Sequence, residues 1–231
     1  MGKRQESREQ IEASIVELGR RHLVDHGAAG LSLRAIARDL GMVSSAVYRY
    51  VASRDELLTL LLVDGYSDLA DAAARARNTA PDAWADRVVA MTHAMRDWAV
   101  DHPARWALLY GSPVPGYHAP AERTVPVGTR VVAMFLDVIA DGIAAGDIAV
   151  GDGSARQSAP QARGSDFDAL RDEFGFAGDD PVMSKCFLLW AAVVGAISLE
   201  VFGQYGADML TDPKAVFDAQ VRLVVELLTQ R

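Results

Sequence analysis

Apolar residues along this 231-residue chain recur at helical spacing rather than in strand-like alternation. Ile11, Ile15, Leu18, His22 and Leu23 fall on one face of a segment of about eighteen residues, with charges opposite. Ser7-Arg-Glu-Gln10 has the form of a capping box at its start, and Gly27 stops it. Ser32 reads as the cap of a short second helix. Its Leu33, Ile36, Ala37 and Leu40 share a face, and Gly41 ends it. A third short helix follows, from about Ser44 to Val51. Ser53-Arg-Asp-Glu56 is a second capping box and opens a fourth helix. That helix carries the run Leu57 to Val63, apolar on nearly every side. Such a run must be covered on every side. The small N-terminal bundle serves at its start and a second bundle further on.

Beyond residue 80 the segments lengthen. The pattern predicts helices near 82–101, 103–111, 119–145, 167–175, 181–203 and 213–230. The stretch 111–120 contains three prolines and reads as a loop. The stretch 146–165, rich in Gly, Ser, Ala and Gln, reads as a flexible surface loop. Sustained period-2 alternation and internal repeats are missing from the sequence. The expected fold is therefore all-α. An N-terminal three-helix bundle over 1–53 precedes a helical body over 54–231, with the fourth helix as connector.

Composition narrows the class. Half of the residues are hydrophobic and 23% are charged, enough for a packed core. The single cysteine, Cys186, excludes a disulfide framework and any multi-cysteine metal site, and it suits a reducing cytoplasm. The polar N-terminus lacks a secretory apolar region. The longest uninterrupted apolar run, Cys186 to Ile197, has twelve residues. A membrane span needs about twenty, so this run predicts a buried helix and no membrane partner. The net charge of −8 argues against nucleic acid, but its distribution does not. Residues 1–54 hold nine Lys and Arg against six acids; the remainder holds fourteen against twenty-five. A basic head on an acidic body fits a small phosphate-binding module on a non-binding support.

Residues 31–51, LSLRAIARDLGMVSSAVYRYV, hold two short helices separated by about three residues with Gly at the turn. This is the sequence form of a helix-turn-helix. Leu33, Ile36, Ala37 and Leu40 of the first would meet Ala46, Val47, Tyr50 and Val51 of the second. Ser44, Ser45, Tyr48 and Arg49 are then left on an outer face sized for the DNA major groove. Arg49 suits guanine or a phosphate, and Tyr48 offers a hydroxyl to the backbone. Ser44 and Ser45 lie where helix N–H groups favour phosphate. Arg34 and Arg54 are expected as flanking clamps. Periodicity by itself equally admits a plain helical hairpin inside a larger core.

Residues 8–56 resemble the DNA-binding domain of the tetracycline-repressor (TetR) family of bacterial transcription regulators. The matching residues are His26-Gly27, Leu31-Ser32-Leu33-Arg34-Ala35-Ile36-Ala37, Leu40-Gly41-Met42, Val47-Tyr48-Arg49-Tyr50 and Ser53-Arg54-Asp55-Glu56-Leu57, in that order. Two positions depart from the family pattern. Val43 stands where a Ser or Thr usually opens the recognition helix, and Val51 stands where Phe is usual. The first bears on a capping phosphate contact, for which Ser44 is the substitute; the second is a conservative core change. The resemblance implies an all-α ligand-sensing and dimerisation domain after residue 56. Further on, Asp101–Gly111, the proline-rich loop and Trp190…Gly195-Ala-Ile-Ser-Leu199-Glu200 resemble a subgroup with a Trp-x4-Gly-x2-Ser-Leu-Glu helix.

In the body, small residues Ala191, Ala192, Gly195 and Ala196 lie among large ones on helix 181–203. Helix 213–230 has a broad apolar face of Val216, Phe217, Val221, Val224, Leu227 and Leu228. Two such helices per subunit suit a four-helix bundle across a two-fold axis. They equally suit the core of one protomer, and the family resemblance favours the homodimer. Met91, Met95, Trp98, Trp106, Tyr110, Tyr117, Met134, Phe135 and Trp190 form the expected lining of a mostly apolar effector pocket. Trp84 belongs to the same aromatic-rich region, and His93, Arg96, His102 and Arg105 are its possible polar anchors. For the Met and aromatic residues ordinary core packing is the competing explanation, and for the four polar ones a surface or satisfied, partly buried position is.

The expected function is a ligand-responsive DNA-binding regulator, a repressor released from a palindromic operator by a small apolar effector. No cofactor, metal or catalytic residue is expected. The chain lacks Gly-x-Ser-x-Gly, a Gly-rich phosphate loop and His-Glu-x-x-His, which argues against an enzyme. His22 and His26, spaced i, i+4, leave a metal-responsive regulator as one alternative. A helical protein-interaction module without DNA binding is another.

Overall fold

The computed structural model describes residues 3–151, 164–206 and 209–230, and these form helices and turns with no strand among them. The order is α1 (Lys3–His26), α2 (Leu33–Asp39), α3 (Ser44–Val47), α4 (Arg54–Thr79), α5 (Trp84–Asp101) and α6 (Pro103–Tyr110). Then come α7 (Ala121–Gly128), α8 (Arg130–Ala144), α9 (Gly164–Phe174), α10 (Asp180–Val201) and α11 (Pro213–Thr229). Packing divides the chain into two compact units: residues 1–68 with 101–128, and residues 69–100 with 129–231. The division does not follow a cut after residue 53. The first unit takes in the start of α4 together with α6 and α7.

The first unit is built on α1. Ile15, Leu18 and Leu23 meet Leu33, Ile36 and Ala37 of α2, Val47 of α3 and Leu57, Leu58 and Leu61 of α4. Gly19 allows the close approach of α1 and α4, since a Cβ there would sit 3.2 Å from a Leu61 methyl. α6 packs on α1 and, through Leu109, lies close over Gly65 of α4. Charges lock this arrangement. Arg105 of α6 is buried and donates to Asp68 Oδ2 at 2.7 Å and to Asp64 Oδ2 at 2.9 Å. Arg20 of α1 donates to the same Asp64 at 2.9 Å, which raises its pKa above the ordinary arginine value.

The second unit pairs α10 with α11 and packs α8 and α9 against α10. Gly142 of α8 is required by space, because a Cβ would come within 2.9 Å of both the Trp84 ring and Ile148. The Trp84 indole N–H donates to Asp147 Oδ2 at 3.0 Å.

Several elements differ from expectation. α1 begins at Lys3, so Ser7 lies inside the helix rather than capping it. The segment 119–145 is two helices, interrupted at Thr129. Pro126 has no N–H to donate and Gly128 lowers helix propensity, so the ladder is weakest there. α10 is only partly buried. Val182, Met183, Cys186, Leu189, Val193 and Ile197 face inward, while Phe187 and Leu188 are about half exposed. It is long and apolar enough to cross a membrane by length and composition alone, a test that the core helix of a soluble protein also passes. Of the expected loop 146–165, residues 152–163 lie outside the described residues.

Candidate nucleic-acid interface

The helix-turn-helix is assembled by local signals. Ser32 caps α2, its hydroxyl accepting from the Ala35 N–H at 3.4 Å. At the other end Gly41 takes φ 67°, Gly41 N–H donates to Arg38 O at 3.0 Å and Met42 N–H to Ala37 O at 2.8 Å. This pair of bonds is a Schellman closure, which needs a residue tolerant of positive φ at the first position past the helix. Val43 then opens α3 with an extended backbone and no side-chain cap. An apolar cap in place of Ser costs about 0.5–2 kcal/mol. α3 has a single turn, and the chain continues in tighter bonds, Arg49 N–H to Ala46 O at 3.2 Å and Tyr50 N–H to Val47 O at 2.9 Å. The expected helix to Val51 is thus shorter, and Tyr48 and Arg49 sit on the turn that follows it.

Buried Leu33, Ile36, Ala37, Val47 and Val51 fix which side of this motif faces out. Arg34, Ser44, Ser45, Tyr48 and Arg49 are all exposed. Arg34 and Ser44 line one open cleft of about 620 Å³ together with Ser32, Ala35, Arg38, Met42 and Val43. Arg38, which the sequence reading did not single out, lies one turn beyond Arg34 and its side chain is 81% exposed. The i, i+4 spacing from Arg34 was the available signal. The face thus offers three guanidinium groups, three hydroxyls and one uncovered isopropyl group. Cations and hydroxyls of this kind are what phosphate oxygens and base edges accept.

Arg54 has a structural role within the head. Its Nη2 donates to Ala28 O at 2.8 Å and Ala29 O at 3.2 Å, tying the short turn after α1 to the start of α4. His22 is likewise structural. Its Nε2 lies 2.6 Å from Asp39 Oδ2, joining α1 to the end of α2, and His26 sets its ring edge-on at 5.6 Å. No cluster of three or more metal-ligating His, Cys, Asp or Glu occurs among the described residues.

The residues expected to line a pocket fall into two groups. Trp106, Tyr110 and Tyr117 belong to the first unit. The Trp106 and Tyr110 rings lie 4.4 Å apart, and Tyr66, not foreseen as part of this set, meets Tyr110 edge-on at 6.1 Å. Burial pushes the Tyr66 and Tyr110 hydroxyls above the ordinary tyrosine pKa. Tyr117 pairs with the Thr59 hydroxyl of α4 at 2.8 Å. Met91, Met95, Trp98, Met134, Phe135 and Trp190 belong to the second unit. There Met91, Met95, Trp98 and Phe135 are buried, and Phe135 meets Trp190 edge-on at 6.4 Å. The possible polar anchors are engaged elsewhere. His93 pairs with Asp218 at 3.1 Å, Arg96 with Glu200 and Arg105 with Asp64 and Asp68, while His102 precedes the first residue of α6.

A helical head that leaves cations and hydroxyls uncovered on a helix-turn-helix, joined to a larger helical body, defines a DNA-binding regulator. The comparisons with known proteins agree. The family model for bacterial regulatory proteins of the tetR family matches residues 15–61, and that for a tetracyclin repressor-like C-terminal domain matches residues 88–224. HTH-type transcriptional regulators of Mycobacterium tuberculosis and Mycobacterium bovis are 71% identical over 231 residues, covering all of this chain and 97% of theirs. The crystal structure of SCO4313, a candidate regulatory protein, aligns with a TM-score of 0.74 and 31% identity over 97% of this chain and all of that one. A Rhodococcus sp. RHA1 protein of unknown function shares the fold, with a TM-score of 0.70 and 24% identity over 95% of each chain. The chain belongs to the TetR family of transcriptional regulators. It is a DNA-binding regulator and not an enzyme.

Proposed function

We propose that the protein is a homodimeric, ligand-responsive repressor that leaves a near-palindromic operator when a small, largely apolar effector binds. The observation that carries the DNA half of this reading is the uncovered set Arg34, Arg38, Ser44, Ser45, Tyr48 and Arg49 around one helix-turn-helix. Two such heads related by a two-fold axis enter successive major grooves, so half-sites stand about one helical turn or somewhat more apart. Arg49 reads a base or a phosphate; Arg34 and Arg38 hold the backbone. As a protein that works on bacterial DNA, it acts in the cytoplasm.

The homodimer reading is supported by the apolar stripe that the protomer leaves open. Phe187, Leu188, Ala191, Gly195 and Leu199 follow helical spacing along α10, and Leu223 of α11 is 65% exposed. A second copy covers such a stripe by a two-fold, self-complementary contact. The effector reading is supported by the aromatic and methionine side chains of each unit, which suit an apolar ligand. It is also supported by α4, which belongs to the head at its start and to the second unit at its end. An effector that binds the non-DNA conformation better lowers operator affinity by linkage.

The test is titration of the labelled upstream region of the protein's own gene against a scrambled duplex, with stoichiometry read by sedimentation. The expected result is specific binding by two protomers per duplex, weakened by a small apolar compound at saturation. Operator affinity unchanged by every saturating ligand overturns the effector reading. One protomer per duplex overturns the dimer.

A further inference from the structure

Val43 is out of place by every local rule. It occupies the residue just before α3, where a side chain able to bond back to the helix N–H groups is favoured and a β-branched apolar one is not. Helical spacing would set it above Val47, which is wholly buried. Its extended backbone, φ −65° and ψ 140°, instead swings it outward, and it is 73% exposed. The free protein therefore holds an isopropyl group in water and forgoes a cap at the same position.

Its surroundings say what can cover it. Val43 lies on the wall of the α2–α3 cleft beside Arg34, Arg38 and Ser44, so the surface that meets it is anionic around a local apolar spot. In a helix-turn-helix the residues at the start of the second helix are those that reach base edges. The major-groove edge of B-DNA offers one apolar group, the C5-methyl of thymine. We propose that Val43 is a specificity-determining residue that packs on a thymine methyl in each operator half-site. This rests on the DNA-binding reading given above, and it adds an apolar reader to the polar ones.

The test uses the full-length protein and an operator selected in vitro from random duplexes. Each thymine is replaced by deoxyuridine, one symmetric pair at a time, which removes the methyl and leaves every hydrogen-bonding group. For the wild type, one pair is expected to weaken binding by about fourfold per half-site, or about fifteenfold for both, the worth of one buried methyl each. Val43→Ser is expected to bind the thymine and uracil duplexes equally at that pair while still preferring operator over unrelated DNA. A thermal melt confirms that Val43→Ser is folded. Specific binding with a flat uracil scan, or the same loss in Val43→Ser, overturns the role of Val43 alone. Equal binding to operator and unrelated duplexes overturns the regulator reading and this assignment with it.

Discussion

Arg96 of α5 and Glu200 of α10 form a two-bond ion pair in the interior of the second unit, with Arg96 Nε donating to Glu200 Oε2 at 2.7 Å. The guanidinium also lies 6.0 Å from the centre of the Phe217 ring of α11. One turn away, His93 of the same helix reaches Asp218 of α11. α5 is thereby fastened to both helices that carry the exposed apolar stripe.

Removing one partner of a buried pair leaves an uncompensated charge, which costs about 3–5 kcal/mol. Arg96→Ala is therefore expected to lower stability by that order. The paired change Arg96→Met with Glu200→Leu is expected to restore most of it. Urea unfolding of the two single variants and the double variant checks this; additive losses would contradict it.

Gly195 separates the protomer's own packing from the proposed dimer contact. A Cβ there meets nothing within 4 Å in the protomer, so bulk is tolerated by its own fold. Gly195→Leu is expected to keep the far-ultraviolet helix signal and to weaken self-association at least about tenfold, since in the proposed dimer the added bulk blocks close approach of a second α10. Sedimentation equilibrium reads the result. An unchanged dimer would place the contact elsewhere.

Arg54 and Arg34 are both arginines near the head surface, yet they are expected to behave differently. Arg54→Ala removes two charge-assisted bonds to the carbonyls of Ala28 and Ala29, a loss of about 1.5–3 kcal/mol in stability. Its effect on DNA follows from a loosened head and disappears at low temperature, where the head is intact. Arg34→Ala is expected to leave the melting temperature unchanged. It weakens operator and random DNA alike and lowers the salt slope by about one per protomer. Identical stability profiles for the two variants would contradict the distinction.

Alkaline pH gives a further expectation. Burial raises the pKa of Tyr66 and Tyr110 in the folded chain above the ordinary value of 10.0, so the folded state holds these protons more tightly than the unfolded state does. Their contribution to stability is complete below that value and is lost as pH rises beyond it. The melting temperature is expected to fall above about pH 10. Tyr66 and Tyr110 should ionise at higher pH in the folded chain than in the unfolded one, as read by tyrosinate absorbance.

The head was largely legible in the sequence because its signals are local. Ser32, Gly41 and Ser53 each act on backbone within three to five residues, and the caps and the turn fall where those residues stand. The exposed face followed from the same periodicity. The body was less legible because its decisive contacts are distant. His93, Arg96 and Arg105 read either as possible pocket anchors or as satisfied, partly buried residues, and the choice depended on partners between 37 and 125 residues away. The structural bonds of Arg54 were not legible for the same reason, since its carbonyl partners belong to a turn 25 and 26 residues earlier. The break at Thr129 turns on Pro126, whose effect inside an otherwise apolar helical pattern depends on what packs beside it.

The central claim is that the α2–α3 face reads DNA. It is tested most directly by measuring wild type and Arg49→Ala on the operator and on an unrelated duplex across a salt series. The account predicts steep salt dependence on both duplexes, tight preference of the wild type for the operator, and a loss of about 1–3 kcal/mol of that preference in Arg49→Ala. Weak, equal binding of the wild type to both duplexes, unaltered by Arg49→Ala, would contradict it.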